Sequence, residues 1–190
     1  FANQIDWLLP ERVDVVGGLI RTIETATAGD KAKEVLYASA VAGNKNTLKR
    51  AQGELDGLRR SDAVRVRRED ETAMLAWLAK QPDAATLQAD IRAMQAQLDA
   101  GQATRERDFL LPFLRPGLLG SAITLRRLAM ERGKPDAQRE SGFQQRDEVL
   151  IEGGLKQLQR RYDPEVEKAT LRYALKRYYA LPASQRVAEF

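Results

Sequence analysis

Apolar residues recur along this chain with a period close to 3.6 almost everywhere. In residues 84–100, Leu87, Ile91, Met94 and Leu98 fall at i, i+4, i+7 and i+11, a single stripe on a helix that the spacing predicts to face a core. Pro82-Asp83 supplies a turn and a candidate N-cap before it, and Gly101 a stop behind it. Residues 164–180 follow the same logic, with Asp163 as N-cap, Pro164 at the first helical position and Pro182 closing the helix. Pro10-Glu11 is read as the opening of a helix that runs through Leu19 and Ile23 to Gly29-Asp30. No stretch combines strict alternation with the β-branched enrichment of a strand.

Residues 31–80 carry the longest helical pattern. Val41, Leu48 and Leu55 are seven apart, Ala51 and Leu58 fill the second heptad position, and the register fails at Asp62. Gly43, Gly53 and Gly57 each weaken a helix by about 1 kcal/mol relative to Ala. A break near 43–46 is therefore expected, with a second long helix running on to Trp77 and Leu78. Past Gly101 the helices shorten. Pro112, Pro116, Gly117 and Gly120 punctuate a stretch too apolar for a solvated linker, and Gly133-Lys134-Pro135 reads as a loop. A helix centred on 149–158 follows, with Gly153-Gly154 either admitting another backbone or splitting it. The expected fold is all-α: a bundle of about six to eight helices, several long and antiparallel, in one domain over residues 1–190.

Composition narrows the chemistry sharply. The chain has 190 residues with no His and no Cys, so His-dependent nucleophiles, thiolates, disulfides and thiolate metal sites are excluded. None of the five Ser residues (39, 61, 121, 141, 184) can find a His partner. No phosphate-binding Gly-rich loop is present, since Gly17-Gly18 has neither spacing nor Lys. Glu69-Asp70-Glu71 point in different directions on a helix and read as solvated charges, and Trp7 and Trp77 read as core. No cofactor, no metal and no transmembrane segment is expected, the last because no apolar run nears the roughly 20 residues that span a bilayer.

The formal charge is +4. Between Lys49 and Glu71, Lys49, Arg50, Arg59, Arg60, Arg65, Arg67 and Arg68 face Glu54, Asp56, Asp62, Glu69, Asp70 and Glu71, a salt-bridged helix face. Only residues 156–177 lean basic, and Tyr173, Tyr178 and Tyr179 there have spacings that fit packing on a core. No nucleic-acid binding is expected. Two of the three Asn residues, Asn44 and Asn46, share the segment Ala42-Gly43-Asn44-Lys45-Asn46-Thr47. A carboxamide can hold a ligand amine or carbonyl, and Gly-Asn is equally a helix terminator.

Around that segment Tyr37-Ala38-Ser39, Ala42, Asn46, Lys49, Gly53, Gly57-Leu58, Arg60, Asp62, Arg67-Arg68-Glu69 and Trp77-Leu78 form a pattern. It resembles, without gaps over roughly residues 36–78, the α-helical domain of the bacterial dipeptidyl peptidases 7 and 11, which are serine exopeptidases. The preceding helix, with Gly18 and Ile23 leading into Asp30-Lys31-Ala32, fits the approach to that domain. The resemblance implies a cap inserted in a chymotrypsin-like double β-barrel that carries the catalytic triad outside this chain. It implies that the cap covers the active-site cleft, so that dipeptides leave from the free N-terminus. It places on Asn46 an asparagine that binds the substrate's α-amino group. The aromatic residues the family has next are Thr47-Leu48 here, and its Lys-Asn is Lys49-Arg50. By the same resemblance the chain, which opens at Phe1, is read as a piece of a periplasmic or secreted, homodimeric peptidase whose partners are peptide substrates and its own barrels.

A free-standing helical interaction or scaffold module is the alternative of a different class, and a nucleic-acid or membrane-surface binder using residues 156–177 a third. An inserted cap should bring residues 1–6 and 187–190 close together and leave apolar surface exposed where the barrels dock.

Overall fold

A computed structural model describes residues 2–115 and 117–187. The described residues form eight α-helices and no strand: α1 (Leu9–Thr27), α2 (Lys31–Arg60), α3 (Ala63–Leu78), α4 (Ala84–Gln102), α5 (Arg105–Leu110), α6 (Gly117–Arg132), α7 (Glu148–Arg161) and α8 (Pro164–Tyr179). The all-α expectation holds. Contacts group the chain into two compact units, one drawn from Phe1–Arg21, Ala40–Phe109 and Leu181–Phe190, the other from Thr22–Ser39 and Leu110–Ala180. The first and last segments share a unit; Pro116 and the closest approach of Phe1 to residues 188–190 lie outside the described residues.

The first unit is organised by α1 against α2. Ile5, Leu9, Ala51 and Leu55 are buried together, with Val13, Leu58 and Val64 packed around them. Pro10 does not open this helix. The chain is already helical before it, through a π-helical turn at Gln4–Leu8 in which the Leu9 N–H donates to the Gln4 carbonyl five residues back. A proline ring clashes with the carbonyl four residues earlier and brings no N–H of its own, and widening the preceding turn relieves both defects. Close by, Trp7 meets Phe109 edge to face at 5.8 Å, and the Arg105 guanidinium lies 4.7 Å over the indole while donating to Asn3 Oδ1 at 3.0 Å.

The α1–α2 turn follows the sequence signals. Gly29 has φ +82°, the left-handed geometry that ends α1, and Asp30 Oδ1 accepts from the Ala32 and Lys33 N–H groups to start α2. The break expected at 43–46 does not occur. α2 is continuous for 30 residues, and the interruption falls at Ser61-Asp62, where Asp62 is left-handed at φ 50°. Buried Ala51 and Leu55 hold the C-terminal part of α2, a tertiary gain that outweighs the intrinsic cost of its glycines. Gly153-Gly154 likewise sit inside an unbroken α7, with nothing within 4 Å of where a Cβ would be.

A second correction concerns α4, of which no residue is buried. Leu87 and Ile91 are half-buried, and Met94 and Leu98 are both 63% exposed. Trp77, expected in the core, is 61% exposed on α3, the helix that pairs with α4. The stripe is amphipathic as read, but the described chain supplies little to cover it.

In the second unit, α8 packs on the 3₁₀ turn Leu111–Leu114, burying Leu114, Val166, Ala174 and Tyr178. Asp163 caps α8 as expected, its Oδ1 accepting from the N–H groups of Glu165 at 3.0 Å and Val166 at 3.1 Å. Glu167 Oε1 accepts from the Leu118 N–H at 2.6 Å and so caps α6. A Cβ on Gly117 would come within 2.6 Å of Leu158 Cδ1, so a larger residue there would make the leucine side chain shift.

The α6–α7 connection, residues 133–147, is tied down by charge. Glu131, nearly buried, accepts from Lys134 Nζ at 2.6 Å and from the Glu140 N–H at 2.9 Å. Arg127 pairs with Glu140 and stacks 4.8 Å over buried Phe143, and Glu148 pairs with Arg132 and Arg139. The Lys134 ammonium first, and the Glu140 amide with it, hold the Glu131 carboxyl below the usual carboxylate range; Arg132 does the same, first, for Glu148.

Two outcomes are expected in denaturation experiments on the chain. Leu9→Ala, at a fully buried position, should cost about 2–5 kcal/mol, whereas Ile91→Ala should cost less than about 1.5 kcal/mol because that side chain stays partly in water. Carboxyls whose pKa is lowered by folding stabilise the fold above their unfolded values, near 4, and lose that contribution as pH falls through the lower folded values. Melting temperature should therefore be level above about pH 5 and drop below about pH 4. Glu131→Gln with Glu148→Gln should be less stable at neutral pH and show a shallower acid drop; an unchanged acid drop would place the acid-sensitive pairs elsewhere.

Candidate functional site

With no His and no Cys in the chain, no Ser–His or Cys–His pair can be assembled within it. Among the described residues no group of three or more carboxylates could hold a metal ion, and no helix is long and apolar enough to cross a membrane. The candidate site is one of recognition, centred on Asn46.

α2 supplies it through the way its core face is spent. Ala51, Leu55 and Leu58 point at the α1 side, so the opposite arc of the helix is turned outward. At 100° per residue, Ala42, Asn46, Gly53 and Gly57 fall within an arc of about 60° on that outer side, with Lys49 and Arg50 flanking it on either edge. All six are exposed. Asn46 and Gly53 are about 10 Å apart along the axis. Among the described residues, and apart from the helix's own backbone and the chain neighbours, nothing comes within 4 Å of where a Cβ on Gly43, Gly53 or Gly57 would be. These glycines weaken α2 without making room for any described neighbour.

The two asparagines separate cleanly. Asn44 Nδ2 donates to the Ala40 carbonyl at 3.0 Å, and Thr47 Oγ1 donates to the Gly43 carbonyl at 3.1 Å, so both groups are spent inside their own helix. The Asn46 carboxamide is exposed and has no hydrogen-bond partner among the described residues. It lies in mid-helix rather than beside a break, so its backbone is fixed by intrahelical bonds while both side-chain functions are open to a ligand. Lys49 and Arg50 have no carboxylate partner among the described residues. Of the cations further along α2–α3, Arg65 pairs with Asp62 and Glu69 and Arg67 with Asp70, whereas Arg59, Arg60 and Arg68 have no carboxylate partner among the described residues, so the face is only partly salt-bridged.

Tyr37 and Asp62, also part of the sequence pattern, have structural work. The Tyr37 hydroxyl accepts from the Asp163 N–H at 3.1 Å, and Lys33 Nζ pairs with Asp163 Oδ2 at 3.0 Å. The Val166 N–H first, then Lys33, hold the Asp163 carboxyl below its ordinary range. Nothing in local spacing announces a contact between residues so far apart in sequence.

The sequence profile of the peptidase S46 family matches residues 1–190, the whole chain. The chain belongs to the peptidase S46 family. It is 29% identical over 178 residues to the Asp/Glu-specific dipeptidyl-peptidase of Shewanella putrefaciens, covering 93% of the chain and 24% of that protein. It is 28% identical over 185 residues to the Asp/Glu-specific dipeptidyl-peptidase of Porphyromonas endodontalis, covering 92% of the chain and 24% of that protein. This S46 segment thus spans about a quarter of the length of the curated relatives it matches.

If Asn46 is a recognition group and not a structural one, Asn46→Ala should leave the melting temperature of this S46 segment unchanged or slightly raised, because alanine is the better helix former at an exposed mid-helix position. Asp163→Ala, which removes a cap and an ion pair, should cost about 0.5–2 kcal/mol. Gly53→Ala should stabilise by about 0.5–1 kcal/mol, because the added Cβ meets open space and a helix prefers alanine. A lowered melting temperature for Asn46→Ala would assign that side chain to the helix instead.

Proposed function

We infer that residues 1–190 act as one helical cap domain of a serine-type dipeptidyl aminopeptidase, without catalytic activity alone. The cap covers the active-site cleft and takes the free N-terminus of the peptide substrate at Asn46. The observation that carries this reading is the exposed, unpartnered Asn46 carboxamide, set on an outward arc of small residues in a chain matched end to end by the S46 profile.

The chemistry is that of an exopeptidase counting from an amine. A substrate ammonium needs acceptors that do not themselves carry a large desolvation cost, and a neutral amide oxygen meets that need better than a carboxylate. A helix-borne side chain is held more rigidly than a loop-borne one, which suits a group that must measure a fixed distance to a scissile bond. Gly53 and Gly57 leave the arc beyond Asn46 flat, so that a peptide backbone or a neighbouring domain can approach closely.

The catalytic barrels belong, in this reading, to the same parent chain, and the exposed stripe of Met94 and Leu98 on α4, with Trp77 on α3, is where they pack. The parent is periplasmic or secreted and acts as a homodimer. Its substrates are peptides, with acidic residues favoured after the pattern of the named relatives.

In the parent enzyme, Asn46→Ala should lower kcat/KM for dipeptide release about ten- to a hundredfold, the worth of one hydrogen bond to a charged group. Asn46→Asp, which keeps an acceptor, should retain more activity than Ala. N-acetylated peptides should be poor for wild type and scarcely worse for the variant. Unchanged kinetics per folded molecule with free-amine substrates would overturn the assignment of Asn46.

A further inference from the structure

The second unit carries a feature that neither the cap role nor the packing of α8 uses. A groove of about 350 Å³ runs along α8, lined by Leu171, Leu175 and Tyr179 on one side and by Lys168, Arg172 and Lys176 on the other. Each set is spaced by four residues, so the two rows run side by side along the helix. The leucines are half-buried, and Tyr179 and the three cations are exposed. From Lys168 to Tyr179 the helix has four cations and no carboxylate. Lys168 is paired with Glu165 at 3.1 Å, but Arg172 and Lys176 have no carboxylate partner among the described residues. Compensating the helix dipole accounts for cations in the last turn, such as Lys176, but Arg172 stands a turn further back.

We propose that this α8 groove is a binding site for acidic peptides in extended conformation. The proposal rests on the peptide-handling role inferred above and names the substrate class. Its basis is complementarity of charge and of spacing. Cations four apart on a helix repeat every 6 Å or so along the axis, and alternate side chains of an extended peptide repeat every 6.6 Å or so. Acidic residues at every second position can therefore meet Lys168, Arg172 and Lys176 in turn. The intervening side chains, if apolar, face the floor made by Leu171, Leu175 and Tyr179. A nucleic acid would use the cations but gain nothing from a leucine floor, which is why a peptide is the better occupant.

Binding can be read without turnover, by fluorescence anisotropy of a labelled peptide of alternating Glu and Leu titrated with the chain. The expected result is affinity at least about tenfold above that for a Gln–Leu peptide, falling as salt is raised from about 50 to 300 mM. Arg172→Gln with Lys176→Gln should remove that preference while leaving the far-UV circular dichroism unchanged; Arg172→Glu with Lys176→Glu should reverse it towards a Lys–Leu peptide. In the parent enzyme the Gln pair should raise KM for long acidic peptides and leave dipeptidyl fluorogenic substrates unaffected. Equal affinity for the Glu and Gln peptides, binding that survives both double variants, or tighter binding of an RNA oligonucleotide than of the acidic peptide would each overturn the proposal. A parent that releases no dipeptides from any substrate would instead defeat the cap reading, and the anisotropy result would still decide the groove.

Discussion

Burial of Leu9 and Ile5 against Ala51 and Leu55 is the contact on which the candidate site depends. A helix has a single azimuth to give away, and once Ala51 and Leu55 commit theirs to α1, everything on the far side of α2 must look outward. Asn46 is thus aimed by residues five and nine positions further along the same helix. The cost of three glycines in a thirty-residue helix is offset by this packing. The same arrangement leaves a smooth outer arc that a chain selected for stability alone would fill with alanine.

Legibility from sequence was uneven, for physical reasons. Helix starts set by local chemistry were plain: Asp163-Pro164 at α8, Gly29-Asp30 between α1 and α2. The break after α2 was misplaced because three glycines looked costlier than one aspartate, whereas tertiary burial overrode the glycines and a left-handed Asp62 ended the helix. Pro10 looked like a start because its intolerance of a preceding α-turn is well known, yet a π turn accommodates it. The α4 stripe is amphipathic, as its spacing predicts, yet none of it is buried. Periodicity reports that a face wants covering and not what covers it.

The candidate site was legible only in part. Composition alone could not separate Asn44 from Asn46, since both are neighbours in one short segment. Their separation comes from where each points: Asn44 back onto the Ala40 carbonyl, Asn46 into solvent. Tyr37 belongs to the same pattern, and its hydroxyl joins Lys33 on Asp163, a partner far away in sequence. Long-range polar contacts of this kind have no local signature, so a patterned residue can be structural as readily as functional.

The π turn at Gln4–Leu8 has a bearing on where a change of chain length would be felt. A π turn holds one residue more than the α-turn it replaces, and it closes its own hydrogen bond around the surplus. Removing a single residue there would convert it to an α-turn and rotate only the two or so described residues ahead of it, by about 100°. From Pro10 onward the helix would keep its register. A one-residue deletion at this point would leave α2 and Asn46 in place at the cost of the relief the wide turn gives Pro10, whereas the same deletion inside α2 would swing Asn46 off its face.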